Sequence, residues 1–183
     1  MTIDEFAVEL IGALGREPIP PAIDGEQDFK KRFVIPEAAR IDHAQRTVLL
    51  YAPPFLNKEC CTPPCAKDPP AHSGRVTGCP ECWANMKPWG SVVAFGTHHT
   101  FDLVAKDPSQ QTLAVEAKLA EVSKGRKPNA QIQQFLGQCS LAATKHHVVI
   151  GICGDRGQWY EDTGQVRKWF ESRDVRLVFR RVA

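Results

Sequence analysis

The run from His147 to Cys153 constrains the fold most, because almost every side chain in it is apolar. A strand of this kind is typical of a sheet that is covered on both faces. The pattern before it predicts a helix over residues 130–145, with Asn129 as its cap. The resulting strand–helix–strand order, from Glu116 to Ile150, favours a right-handed crossover between parallel strands. We therefore expect an α/β fold with a mixed central sheet flanked by helices.

The remaining elements follow from caps, periodicity and breakers. Thr2 and Glu5 form a capping-box pattern that begins a helix over residues 2–14, and Gly15 is expected to stop it. A second helix is predicted from about Asp24 to near Pro36, where the proline should end or bend it. Apolar alternation and β-branched residues predict strands over 47–52, 92–95, 100–105, 112–117 and 175–182, and a short helix over 166–173.

Composition limits the class of protein. A chain of 183 residues is long enough for one domain with an inserted element. Its apolar runs are shorter than the ~20 residues that span a bilayer, and its first residues lack a basic segment typical of a secretory signal. We therefore expect a cytoplasmic protein without a membrane partner. A net charge of +2 neither requires nor excludes nucleic acid.

Residues 53–90 differ from the rest of the chain, because they are rich in proline, cysteine and lysine and lack a regular apolar period. We interpret them as an inserted lobe within a single domain of residues 1–183. Clustered cysteines in a chain without a secretion signal favour metal over disulfides. Two close pairs suit tetrahedral zinc, and the lobe would need the metal to fold. The predicted ligands are Cys61, Cys65, Cys79 and Cys82, with Cys60 or His72 as alternates.

A second candidate site combines two acids and a lysine. Glu116 and Lys118 are two residues apart in a predicted strand, so their side chains share one face, while Val115 and Ala117 point into a core. A hairpin with the preceding strand would bring Asp102 beside them. Carboxylate oxygens bind hard divalent cations, and a nearby ammonium can steady a hydroxide or a phosphate. A solvent-exposed strand face is the alternative explanation for the Glu-x-Lys triplet.

This arrangement resembles the PD-(D/E)XK nuclease superfamily, whose restriction-endonuclease-like fold is shared by many restriction enzymes, junction resolvases and recombination exonucleases. The resemblance covers roughly residues 24–52 and 91–155, and Phe101 stands where the family has the proline before the aspartate. It implies that Asp102 and Glu116 bind Mg²⁺ or Mn²⁺, that Lys118 assists the attacking water, and that DNA is the substrate. An acid on the first core helix often completes the metal site. Glu26 is our first choice for it and Glu9 our second.

The glutamines of the predicted 130–145 helix form a polar row at helical spacing, Gln131, Gln134 and Gln138. Some nucleases of this family use a Gln-x-x-x-Tyr pattern there to orient the catalytic lysine or a DNA end. Gln138 is the equivalent that we assign to the site, although Ala142 then stands where the tyrosine would be. Gln131 is the other candidate, and Phe135 would then stand at that position. A solvent-facing row of glutamines is the alternative.

Three further questions stay open at this point. Some nucleases of the family carry a four-cysteine iron–sulfur cluster, but their cysteines usually bracket the core, so zinc is favoured here.

The pairs His98-His99 and His146-His147 lie at predicted strand ends, where at most one of each pair can face the site. The sequence predicts a DNA nuclease that acts as a homodimer or with a partner subunit. A non-catalytic zinc-containing module that binds nucleic acid or protein is the alternative.

Overall fold

The central sheet has five strands, which are here in spatial order β1 (Leu49–Tyr51), β4 (Leu103–Lys106), β5 (Thr112–Ala120), β6 (Val148–Asp155) and β7 (Val175–Arg181). The computed structural model describes residues 1–45, 49–51, 91–94, 97–121, 129–156 and 164–182. Strand β4 is antiparallel to both of its neighbours, whereas β5, β6 and β7 are parallel. The α/β architecture with a mixed sheet is therefore confirmed.

Helices cover both faces of the sheet. Strand β6 is buried along its whole length, as its apolar sequence predicted. Its alternate residues divide between two cores, with Ile150 and Ile152 on one side and Val149 and Cys153 on the other. Helices α1 (Ile3–Arg16), α2 (Gly25–Phe29) and α3 (Ile35–Gln45) contribute to the first core. Helices α4 (Asn129–Ala142) and α5 (Gly164–Glu171) contribute to the second.

Helix α1 begins as predicted and ends later than predicted. The Thr2 hydroxyl accepts a hydrogen bond from the Glu5 N–H, and the Glu5 carboxylate accepts one from the Thr2 N–H. Asp107, which is 3% exposed, fixes the helix start to the sheet by accepting a bond from the Ile3 N–H (3.0 Å). Gly15 lies inside the helix, because burial of its apolar face outweighs the weak preference of one glycine.

The second predicted helix is longer than expected. Helix α2 leads into a π-helical turn, Lys30–Val34, which continues directly into α3. Of the two predicted alternatives, an end or a bend near Pro36, the end is wrong, because Pro36 is the second residue of α3. A proline is tolerated in the first turn of a helix, and the wider π turn before it relieves the clash with the preceding carbonyls.

The strands before Glu116 also differ from the prediction. Strands β2 (Ser91–Ala94) and β3 (Thr97–Thr100) form a separate antiparallel pair, so His98 and His99 lie within a strand. The predicted strand over 100–105 is divided, and Asp102 lies in the bend before β4. The inserted lobe, residues 53–90, lies outside the described residues. Among the described residues, no helix is long and apolar enough to cross a membrane.

Gly151 provides a test of the packing between β6 and α4. A Cβ at this position would lie 2.7 Å from the Cys139 sulfur and 2.8 Å from side-chain carbons of Phe135 and Leu177. Gly151→Ala should therefore lower the free energy of unfolding by about 1–3 kcal/mol in urea denaturation. Gly137→Ala is the matched control, since a Cβ there meets nothing within 4 Å. It should leave stability unchanged or raise it by up to about 1 kcal/mol. Equal effects of the two substitutions would contradict this packing.

Candidate functional site

The candidate site forms beside the first residue of β4, where the β4–β5 ladder stops and β5 continues. Leu103 pairs with Val115 at the end of the ladder, and β5 runs on to Ala120. The Asp102 side chain extends the pairing, because its Oδ2 accepts a hydrogen bond from the Ala117 N–H (2.9 Å). A carboxylate thus takes the place of a strand carbonyl at this gap in the sheet, and the other oxygen of Asp102 faces the neighbouring residues.

Helix α2 and the first residue of the π turn that follows it bring two charged residues to the same gap. Phe29 is fully buried and packs against β5 and β6, since a Cβ on Gly154 would lie 3.2 Å from the Phe29 ring. Glu26 and Lys30 are four residues apart, so they lie on one side of the helix as an ion pair. Their position is fixed by the apolar anchor between them.

Five charged residues meet here, and we call them the carboxylate–lysine cluster: Glu26, Lys30, Asp102, Glu116 and Lys118. The Lys30 ammonium lies 2.7 Å from Glu26 Oε1 and 2.9 Å from Asp102 Oδ1. The Lys118 ammonium lies 2.8 Å from Glu26 Oε2. Glu26 therefore joins both lysines, and Lys30 joins Glu26 to Asp102. Lys30 is only 6% exposed, whereas Lys118 is half-buried.

Glu116 is the least compensated member of the cluster. It is 3% exposed, and its Oε1 has no hydrogen-bond partner among the described residues. A buried carboxylate oxygen without a partner is costly when it carries charge. Its partner in the parallel register, Gly151, leaves room on that face for Cys139 and Phe135.

Burial and the neighbouring charges shift the pKa values of the cluster in opposite directions. Burial, and then the charge of Asp102, raises the pKa of Glu116 well above its usual value. Burial also raises the pKa of Asp102, against the opposing charge of Lys30. For Glu26, burial is outweighed by hydrogen bonds from Lys118 and Lys30, so its pKa is lowered. For Lys30, burial is outweighed by Asp102 and Glu26, so its pKa is raised. The cluster therefore favours a cation beside Asp102 and Glu116.

The structure brings together four of the residues that the sequence singled out, namely Asp102, Glu116, Lys118 and Glu26. Glu9 lies exposed on α1, where it contributes to the electrostatic environment of Arg40. Gln138 is half-buried on α4, while Gln131 accepts a hydrogen bond from the Glu121 N–H (3.2 Å).

Sequence reasoning missed Lys30. The available signal was its spacing of four residues from Glu26 on the predicted helix, which places an acid and a lysine side by side. That signal is common on exposed helices, so it did not indicate a buried lysine at the site.

The predicted zinc ligands Cys61, Cys65, Cys79 and Cys82, with the alternates Cys60 and His72, lie outside the described residues. The basic sequence Lys124-Gly125-Arg126-Lys127 lies outside them as well. The other two cysteines, Cys139 and Cys153, are buried in the core, and burial raises the pKa of both thiols, that of Cys153 to about 12.

Carboxylate oxygens are the donors that Mg²⁺ and Mn²⁺ prefer, so the chemistry of the cluster fits such an ion. The unpartnered oxygen of Glu116 is one donor that a metal would satisfy. In the described part of the chain, however, no group of three or more His, Cys, Asp or Glu side chains is arranged to hold a metal ion. The Lys30 ammonium lies between Glu26 and Asp102 instead, and the Lys118 ammonium pairs with Glu26. The donor set fits the metal, but its arrangement would have to change to bind one.

The two histidines before β6 have different environments. His147 is exposed and lies 3.7 Å from Asp4, whereas His146 is 6% exposed. The His146 Nδ1 lies 3.0 Å from the Thr112 hydroxyl, and its ring packs edge-on against Phe101. Burial, and then the charge of Lys145, lowers the pKa of His146 to about 4. His146 is therefore a neutral group of the core.

His146 gives a prediction about pH. Its pKa is lower in the folded protein than in the unfolded chain, so its stabilising contribution is present above pH ~6.5 and is lost as the pH falls toward 4. Over that range the wild type should lose up to about 3 kcal/mol of stability relative to His146→Gln. Urea denaturation at several pH values measures the difference. His147→Gln is the control and should keep the wild-type pH dependence. Parallel profiles for wild type and His146→Gln would contradict the assignment.

Comparison with known proteins adds no relative from which a role could be transferred. No protein-family model matches the chain, and neither the curated proteins nor the solved structures give a significant match. The functional conclusion therefore depends on the carboxylate–lysine cluster itself.

Proposed function

We propose that this protein is a divalent-metal-dependent nuclease that hydrolyses DNA phosphodiester bonds. One observation supports this most directly. Asp102, Glu116 and Lys118 converge at the open side of β5, with Glu26 beside them, and a buried oxygen of Glu116 has no partner among the described residues. Two acids and a lysine beside the middle strand of a mixed sheet resemble the PD-(D/E)XK arrangement, and the choice of DNA follows from that resemblance.

The roles follow from the positions of the side chains. Asp102 and Glu116 are the proposed metal ligands, because both are buried acids and burial raises the pKa of each. A bound Mg²⁺ or Mn²⁺ would polarise the phosphate and lower the pKa of a water molecule. Lys118 is the more accessible lysine, so its ammonium can orient that water or contact the phosphate. Glu26 holds Lys118 in place and can complete the metal site.

The restriction-endonuclease-like fold is part of the same proposal. The mixed sheet, the helix before it and the β5–α4–β6 unit are compatible with that fold. The proposal also includes a structural zinc ion in the lobe of residues 53–90, a cytoplasmic location, and action as a homodimer or with a partner subunit.

Purified protein should cleave plasmid and oligonucleotide DNA in Mg²⁺ or Mn²⁺ and be inactive in EDTA. Lys118→Met and Asp102→Asn should each reduce the cleavage rate at least ~100-fold, because each removes a group that acts at the reacting phosphate. Lys168→Met, which removes an exposed lysine from α5, is the control and should retain activity. Circular dichroism checks that the variants fold. Cleavage that survives Lys118→Met or Asp102→Asn would rule out this site.

Zinc in the inserted lobe has its own test. Metal analysis of protein purified without added metal should find about one zinc per chain, as four thiolates at this spacing would bind. Replacing Cys79 and Cys82 together by serine should remove the zinc. Iron in its place would favour the iron–sulfur alternative, and protein free of both metals would contradict a metal-bound lobe.

A non-catalytic module is the second candidate, and one observation favours it. Lys30 and Lys118 already compensate Glu26 and Asp102, so these ion pairs do not need a metal ion. Such a module would bind DNA or protein through the lobe. It predicts DNA binding in a gel-shift assay with no cleavage under any divalent metal.

A further inference from the structure

Lys30 is the cluster member that the proposed mechanism does not use. Its ammonium contacts carboxylate oxygens of two residues at once, Glu26 at 2.7 Å and Asp102 at 2.9 Å. It is 6% exposed, so water does little to weaken these contacts. The Lys30 ammonium thus occupies the space between Asp102 and Glu26, which a divalent cation bound by both acids would need.

The charges of the cluster set the Lys30 ammonium and a divalent metal ion against each other. Glu26, Asp102 and Glu116 carry up to three negative charges, and Lys30 and Lys118 carry two positive ones. If a divalent ion entered while both lysines stayed, the buried cluster would become net positive. If Lys30 left its partners, the ion and Lys118 would balance the three carboxylates. Buried charge without compensation is costly, so metal entry and the Lys30 contacts oppose each other.

The local backbone places Lys30 at a point of change in the helix. Lys30 is the first residue of the π turn between α2 and α3, and its carbonyl accepts a hydrogen bond from the Ile35 N–H. π turns are rare and occur frequently at functional sites. The flexible stem of a lysine also allows its ammonium to leave two carboxylates without movement of the helix.

We infer that Lys30 is a built-in competitor of the catalytic metal ion: its ammonium neutralises Asp102 and Glu26 in the metal-free protein and withdraws when the ion binds. This inference rests on the proposed function, and it adds a control on when the site becomes active. The protein keeps Asp102 and Glu26 compensated at low metal concentration. It binds the ion more weakly than the carboxylates alone would allow.

Direct Mn²⁺ binding tests the inference without an activity assay. Isothermal titration and electron paramagnetic resonance of free Mn²⁺ would compare the wild type, Lys30→Met and Lys31→Met at pH 7.5. Lys31 is the matched control, because it is the next residue, is exposed, and carries the same charge. Lys30→Met should bind Mn²⁺ at least ~10-fold more tightly than the wild type, whereas Lys31→Met should stay within ~2-fold.

Thermal unfolding gives a second readout. In EDTA, Lys30→Met should have a lower Tm than the wild type, and Mn²⁺ should raise its Tm by more, since an ion that binds more tightly stabilises the folded state more. Lys30→Gln, which keeps a polar donor, provides the same comparison if Lys30→Met fails to fold.

The outcomes separate this inference from the proposed function. Mn²⁺ affinity that is unchanged or weaker in the Lys30 variants overturns the competition and leaves a metal-dependent nuclease in place. Absence of Mn²⁺ binding in the wild type and in all variants overturns both the competition and the metal site.

Discussion

The burial of Asp102 and Glu116 at the gap beside β4 is the constraint on which the candidate site depends. Asp102 lies where the pairing of β4 with β5 would otherwise continue, Glu116 lies on β5 beside it, and both are almost fully removed from water. Taking a carboxylate out of water costs several kcal/mol unless a cation or hydrogen bonds compensate it. Asp102 accepts a hydrogen bond from the Ala117 N–H and forms an ion pair with Lys30. One oxygen of Glu116 has no hydrogen-bond partner among the described residues. The imbalance between the two acids is the main argument for a bound cation.

The surrounding fold supplies that compensation from a distant part of the sequence. Phe29 anchors α2 against β5 and β6, so Glu26 and Lys30 reach the gap from the side of the first core. Glu26 then holds Lys118, which comes from the other side of the same cluster. Apolar packing therefore determines the position of the charged groups, and the ion pairs determine their orientation.

Patterns of apolar residues predicted the parts of the fold that packing dictates. The two-sided burial of β6, the β5–α4–β6 order and the capping box of α1 all follow from short-range sequence patterns. The end of the second helix did not follow, because the π turn that accommodates Pro36 has no simple sequence signal. Glu116 and Lys118 were predictable because they are two residues apart in one strand, and Asp102 because it lies in the neighbouring strand region. Glu26 was chosen from the family resemblance. The contact of Lys30 with Asp102 joins residues 72 positions apart and depends on tertiary packing.

The central claim, that the buried acids bind a divalent metal ion, is tested most directly by anomalous diffraction from crystals of the protein soaked in Mn²⁺. The account predicts an anomalous peak between Asp102 and Glu116, with the Lys30 ammonium moved away from Asp102. A peak elsewhere, or no peak after soaking in excess Mn²⁺, would contradict it.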